Sequence, residues 1–299
     1  MKTILVPTDF SAASITAFRY ALALANDTDI QEVRLISVYQ QPINFRDDGG
    51  YIGALEAEKS RKICEERLID FINVENARSP LTVLVTHEAI HGEITDGIVA
   101  AACHADIQLI VLGKSEEEDA LDKWLGRTAT AVAQKATRPI LLVLEGTKYA
   151  PIKHILYTCD FLAAHFDLQA ENVVAKWAKQ LGAHVDVLFV KNDEEDYSGD
   201  EQIMREIFKI DAPGTPLNIS IIESDSTVKA IQIYAKRKAI DMIVVATEER
   251  GFFKNLFHKS VSNDLALHFT TPLLVLHAED WKGDEAVLNA LSDKNVLFF

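Results

Sequence analysis

Short apolar runs alternate with longer amphipathic stretches along the whole chain. The runs Ile4–Pro7, Val33–Val38, Leu81–Val85, Leu109–Leu112 and Ile140–Leu144 are rich in branched side chains and predict strands. Between them the apolar period changes from two to that of a helix. Ser14–Ala25 carries Ile15, Phe18, Leu22 and Ala25 at steps of three and four, one stripe to bury. Leu55–Asn73 turns Ile63, Leu68 and Ile72 inward and its Glu, Lys and Arg residues outward, and Thr95–His104 and Ala129–Ala136 complete the helices. The order is β-α-β-α-β-α-β-α-β. A strand that returns through a helix pairs in parallel with its predecessor, so this order predicts a parallel sheet covered on both faces.

The same order then begins again. Lys2-Thr-Ile-Leu-Val-Pro-Thr-Asp-Phe10 is echoed by Lys153-His-Ile-Leu-Tyr-Thr-Cys-Asp-Phe161. Ile107–Gly113 with Arg138–Leu144 is matched by Ile240–Ala246 with Thr271–His277. Gly113 to Pro139 and Ala246 to Pro272 are both 26 steps apart. Equal spacing at matching places indicates two copies of one domain-sized unit. The second copy predicts strands at Ile155–Thr158, Ala183–Val190, Leu217–Ile222, Met242–Val245 and Leu273–Leu276. Its helices fall at Leu168–Leu181, Gln202–Ile210, Thr227–Lys238 and Ser260–His268, with an acidic loop at Lys191–Asp200. We therefore expect one domain over 1–145, a linker around Glu145–Pro151, a second domain over 152–278, and an extension over 279–299 ending in Val296-Leu-Phe-Phe299. Those terminal aromatics are expected to dock on the body of the protein.

Composition narrows the setting. A length of 299 residues suits two domains of about 100–150 each. A formal charge of −15 opposes binding to nucleic acid or to an anionic membrane surface. No apolar run approaches the roughly 20 residues needed to cross a bilayer, and the N-terminus runs straight into a strand without a signal-peptide layout. Cys64, Cys103 and Cys159 stand far apart, as reduced thiols of a cytoplasmic protein would.

With these residues in order, the chain resembles a tandem universal stress protein. The carriers are Ile4-Leu-Val-Pro-Thr-Asp-Phe-Ser11, Leu109-Ile-Val-Leu-Gly113, Gly126-Arg-Thr128 and Arg138-Pro-Ile-Leu-Leu-Val143. In the second copy they are Ile155-Leu-Tyr-Thr-Cys-Asp160 and Lys259-Ser-Val-Ser262 ahead of Thr271-Pro-Leu-Leu-Val-Leu276. The resemblance implies two doubly wound, five-stranded parallel α/β domains, Rossmann-like and of the adenine nucleotide alpha hydrolase type. It also implies that the copies pair about a pseudo-twofold axis through their last strands, an internal version of the family's dimer. A homodimer of whole chains is compatible with that arrangement.

Nucleotide-binding relatives carry Gly-x2-Gly-x9-Gly-(Ser/Thr) after strand four. Glycines let main chain approach phosphates, and the helix that follows offers free N–H groups and a favourable dipole. Copy one keeps Gly113 and Gly126 but has Glu116 and Arg127 at the other two key positions, followed by Glu117, Glu118 and Asp119. Like charges at ~4 Å repel by about 4 kcal/mol at an effective dielectric near 20, so this run opposes a polyphosphate. Copy two has Ala246, Glu249, Lys259 and Ser260 in the same register, with every glycine lost. The resemblance also points to Asp9 and Asp160 as groups near a base or ribose, and to Val38 and Val190 closing strand two. The candidate ligand positions are thus Asp9, Val38, Gly113, Gly126, Arg127, Thr128, Asp160, Val190, Lys259, Ser260 and Ser262. The ligand is not named by these residues; ATP or AMP with magnesium, held weakly, is the nucleotide alternative.

Other constellations carry blander readings beside sharper ones. Asp9 and Asp160 also suit helix capping or loop anchoring. His87-x3-His91 hints at zinc, but the pair is expected to straddle a strand end and a loop, and no metal site is assigned. His104, when protonated, suits a helix C-terminus, Cys159 beside Asp160 admits redox sensing, and Trp124 is expected to pack over the loop. No nucleophile–base spacing announces a hydrolase, and a receiver-like phosphoacceptor lacks its clustered acids and its lysine. The expectation is a stress-response protein acting through protein contacts or a small ligand, probed against an ATP- or AMP-binding sensor.

Overall fold

The computed structural model describes residues 2–40, 49–115, 127–158, 164–191, 217–247 and 270–277. The first half runs β1 (Thr3–Pro7), α1 (Ala12–Asn26), β2 (Glu32–Tyr39), α2 (Gly49–Arg78), β3 (Leu84–His91), α3 (Ile94–Ala102), β4 (Ile107–Lys114), α4 (Arg127–Lys135) and β5 (Ile140–Leu144). The second runs β6 (His154–Thr158), α5 (Ala164–Leu181), β7 (His184–Lys191), β8 (Leu217–Glu223), α6 (Thr227–Arg237), β9 (Met242–Thr247) and β10 (Leu273–His277). The helices expected at Gln202–Ile210 and Ser260–His268, nearly all of the acidic loop and the C-terminal extension lie outside the described residues.

All the strands join one ten-stranded sheet in the order β3-β2-β1-β4-β5-β10-β9-β6-β7-β8. Within each half every pairing is parallel. At the centre β5 and β10 pair antiparallel, with Leu273 opposite Leu142 and Val275 opposite Ile140. The order therefore reads as the same motif from either edge, the pseudo-twofold that the resemblance implies. Both central strands are apolar and buried, so the seam is part of the core.

Alternation along the strands sends side chains to two cores. Ile4, Val6, Leu109, Leu141, Ile155 and Leu274 meet α1, α2 and α5 on one face. Leu5, Ile110, Leu142, Leu156 and Val275 meet α3, α4 and α6 on the other. Gly182 closes α5 in the left-handed conformation at φ 63°, and the Ala183 amide returns to the Ala178 carbonyl at 2.9 Å. That turn needs a residue without a Cβ penalty.

Two expectations shift here. The third strand spans Leu84–His91, further along than Leu81–Val85. It is the outer strand of its half and pairs on one side, with β2, so its polar residues face solvent and hide the apolar signal. On α2, Leu68 is fully buried as expected, but Ile63 is 48% exposed.

Polar groups lock the frame at the amino ends of the first strands. Arg34 donates to Glu32 at 3.1 Å and to Asp106 at 2.6 Å, and Thr3 and Thr86 also donate to Glu32, a residue only 4% exposed. Burial alone would push the Glu32 carboxyl up, but the bonds from Thr86, Arg34 and Thr3 outweigh it and hold it low. Arg19 on α1 grips buried Glu75 on α2 through two bonds of 2.7 and 2.6 Å. The chain between the halves is strapped to α1. The Gly146 amide donates to Thr16 at 3.2 Å, and the Tyr149 hydroxyl donates to Asp27 at 2.6 Å with its ring edge-on to Tyr20.

Candidate functional site

In the first half, β1 and β4 lie side by side where the strand order reverses, and a cavity of about 650 Å³ opens beyond their carboxyl ends. Crevices at such switch points are where open α/β sheets hold ligands. The cavity is of ligand-pocket size.

Its floor is the turn from β1 into α1. The Thr8 amide still bonds to Ile36 at 2.8 Å, continuing the sheet one residue beyond Pro7. Phe10 then adopts φ 67°, a costly conformation for an aromatic residue. The turn is held from within: the Phe10 amide donates to the Thr8 hydroxyl, and the Ser11 amide to the Asp9 carboxylate, both at 3.0 Å. Ser11 is the N-cap of α1, its hydroxyl accepting from the Ser14 amide at 3.3 Å. Asp9 is therefore not the cap that the sequence allowed for. It anchors the loop one step earlier, and it lines the cavity. Burial tends to raise its carboxyl, but hydrogen bonds from Ser11 and Ser14 overcome that and lower it, so Asp9 is an anion at neutral pH.

The carboxyl end of β4 forms a second wall. Gly113 lies so close to the first turn of α1 that a Cβ there would stand 2.1 Å from the Ala13 carbonyl oxygen. Glycine is required for main chain to pass main chain, whatever ligand the cavity holds. Val38 and Tyr39 from the end of β2 line the cavity, as do Thr128 and Ala129 from the first turn of α4. Asp9, Val38, Gly113 and Thr128, picked from one-dimensional motifs, thus share one cavity.

The third wall was not foreseen. Helix α2 contributes Ser60, Ile63, Cys64 and Arg67, spaced to share one helical face. The Phe10 ring meets Phe71 edge-on at 6.0 Å, and the Arg67 guanidinium lies over Phe10 at 4.2 Å from the ring centre. Cys64 is buried and directs its thiol to the Ser37 carbonyl at 3.8 Å. Ile63 and Ile94, both about half exposed, stand in the lining. Residues 60–67 look like ordinary amphipathic helix in sequence; the signal was a polar Ser60/Cys64/Arg67 stripe beside the apolar one.

The remaining candidates fall elsewhere. Gly126, Asp160, Lys259, Ser260 and Ser262 lie outside the described residues, as do Glu116–Asp119, Trp124 and Cys159. Arg127 opens α4, though its side chain is outside them too. Val190, near the end of β7, packs half-buried against the second core. His87 and His91 both lie within β3, correcting the strand-end-and-loop expectation. Four residues apart on one strand, they share a face but stand about 13 Å apart, too far for one ion. Cys103 caps α3, its thiol on the Val99 carbonyl at 3.3 Å. Among the described residues no three His, Cys, Asp or Glu side chains group as a metal site, and no helix is long and apolar enough to cross a membrane.

Comparison with known proteins agrees with this architecture. The sequence profile of the universal stress protein family matches residues 1–143 and 194–277. The second match starts beyond β6 and β7, although these strands pair just as β1 and β2 do. No curated protein matches the chain. Among solved structures, a universal stress protein from Archaeoglobus fulgidus DSM 4304 aligns over 92% of this chain and 98% of its own, with a TM-score of 0.67 at 19% identity. A protein of Pseudomonas aeruginosa UCBPP-PA14 described under the same family name aligns over 98% of both chains, with a TM-score of 0.56 at 17% identity. At such identities the likeness is one of fold.

Proposed function

The chain belongs to the universal stress protein family, and from that premise we propose that it acts in the cytoplasm as a ligand-responsive stress protein without catalytic turnover. The observation that carries this reading is the 650 Å³ cavity of the first half, with ionised Asp9 in its lining. A preformed cavity whose walls mix polar groups with apolar surface suits binding. Chemistry would need more. Among the described residues neither histidine nor lysine lines the cavity, and Cys64 faces a carbonyl rather than a base. Free thiols at Cys64 and Cys103 support a reducing compartment.

The ligand on this reading is not a triphosphate. Glu116 stands where a phosphate-cradling glycine is expected, three more acids follow it, and Gly113 is committed to packing against α1. The second half, whose register has lost all its glycines, serves as the structural partner that covers β5. Calorimetry of the purified chain with ATP and magnesium tests this. No heat is expected at millimolar ATP, and micromolar ATP binding abolished by Gly126→Asp would overturn the reading. The competing reading, an ATP or AMP sensor working through Gly113, Gly126, Arg127 and Thr128, is favoured by one observation, that Thr128 lines the same cavity as Gly113.

A further inference from the structure

We propose that Arg67 on α2 is the anion anchor of the first-half cavity, and that the ligand it selects is a phosphate monoester carried on an apolar or aromatic body. This rests on the reading of that cavity as a ligand site and adds the side from which an anion is held. Arg67 lines the cavity on the helical face it shares with Ser60, Ile63 and Cys64.

Arg67 differs from the other arginines of these helices. Arg61 on the same helix is engaged by Glu58 and Glu65, and Arg19 by Glu75. Among the described residues Arg67 has no carboxylate partner; its guanidinium lies over the Phe10 ring, 4.2 Å from the ring centre. That ring is aimed by the strained backbone of Phe10 and braced by Phe71. A guanidinium stacked on an aromatic face loses little freedom when its N–H fork takes up an oxyanion, because the plane is already set. A chain of net charge −15 repels small anions, so a cation in the lining of a cavity offsets that repulsion locally. Arg67 is such a cation, and it stands in the cavity lining on α2. The half-exposed Ile63 and Ile94, with buried Ile98 and Leu112, give the body of the ligand an apolar surface to cover.

A phosphate here is held from α2. The test is titration of the full chain with AMP and with adenosine, which differ by the phosphate alone, at low salt and neutral pH. AMP is expected to bind roughly tenfold or more tightly than adenosine, the size of a charge-assisted fork on a phosphate. Arg67→Met should bring AMP down to the level of adenosine and leave adenosine unchanged; Arg67→Lys should restore only part. Asp9→Asn should weaken both probes alike. Thermal unfolding of each variant checks that it folds, and an exposed arginine permits that. An AMP preference that survives Arg67→Met overturns the anchor and leaves the cavity reading standing. If neither probe binds the native chain at millimolar concentration, the cavity reading fails and this inference with it.

Discussion

Replacing Gly113 by alanine puts a methyl carbon 2.1 Å from the Ala13 carbonyl oxygen, 2.3 Å from its carbon and 2.8 Å from the Ser14 nitrogen. Real Cβ contacts stop near 3.0 Å, so β4 and α1 must separate by about 0.9 Å. Each of the three atoms is main chain, and none can rotate away. The first turn of α1 is also pinned by the Ser11 cap and by the bond of about 3.0 Å between the Thr8 and Ser14 hydroxyls. Overpacking usually costs 1–3 kcal/mol, and a clash of backbone with backbone belongs at or above the top of that range. We expect Gly113→Ala to lose roughly 3 kcal/mol and to melt about 5 °C below the native chain. Gly97→Ala is the matched control. Its methyl meets the Val38 side chain at 3.0 Å, which can adjust, and alanine favours the helix by about 1 kcal/mol, so the change should stay within ~1 kcal/mol. Calorimetric unfolding of both proteins decides the matter. If Gly113→Ala melts with the native protein, β4 and α1 do not press together there, and the account of this wall is wrong.

Arg34→Met should cost about 2–3 kcal/mol in urea unfolding at pH 7, below the figure for a fully buried pair because Asp106 is 29% exposed. Burial raises Glu32 and Asp106, yet hydrogen bonds and the Arg34 charge lower both beneath their ordinary 4.5 and 3.8, so their contribution is complete above about pH 5 and lost as pH falls through the lowered values. Acid destabilisation from pH 5 downward should accordingly be shallower in Arg34→Met than in the native chain. Among the described residues Arg19→Met leaves buried Glu75 with only Arg78 at 3.9 Å, and a loss of roughly 2 kcal/mol is expected in the same assay. Tyr149→Phe removes the bond to Asp27 and should cost about 1 kcal/mol, with faster amide exchange in residues 145–151 as the local readout.

Much of the fold could be read from periodicity because parallel strands are buried on both faces and appear as unbroken apolar runs. β4, β5, β9 and β10 are of this kind. β3 escaped because Thr86, His87 and Glu88 interrupt its pattern, which an outer strand can tolerate. The site divided along a similar line. Asp9, Val38, Gly113 and Thr128 were legible because they fall at or beside motif positions that the family resemblance carries over. The α2 wall was not, since Ile63 satisfies the same period as a core residue, and only the geometry shows it half exposed beside Arg67. Gly113 was found for one reason and holds its place for another: phosphate approach suggested it, while the Ala13 carbonyl demands it.

The antiparallel pairing of β5 with β10 joins two folding units that a single peptide already tethers. Two separate chains would have to meet before such a seam could close, and dilution would part them. Here closure is unimolecular, so the melting of the seam is expected to be independent of protein concentration. On the proposed reading the second copy lends an edge, and it can then change its ligand loops without loosening its neighbour.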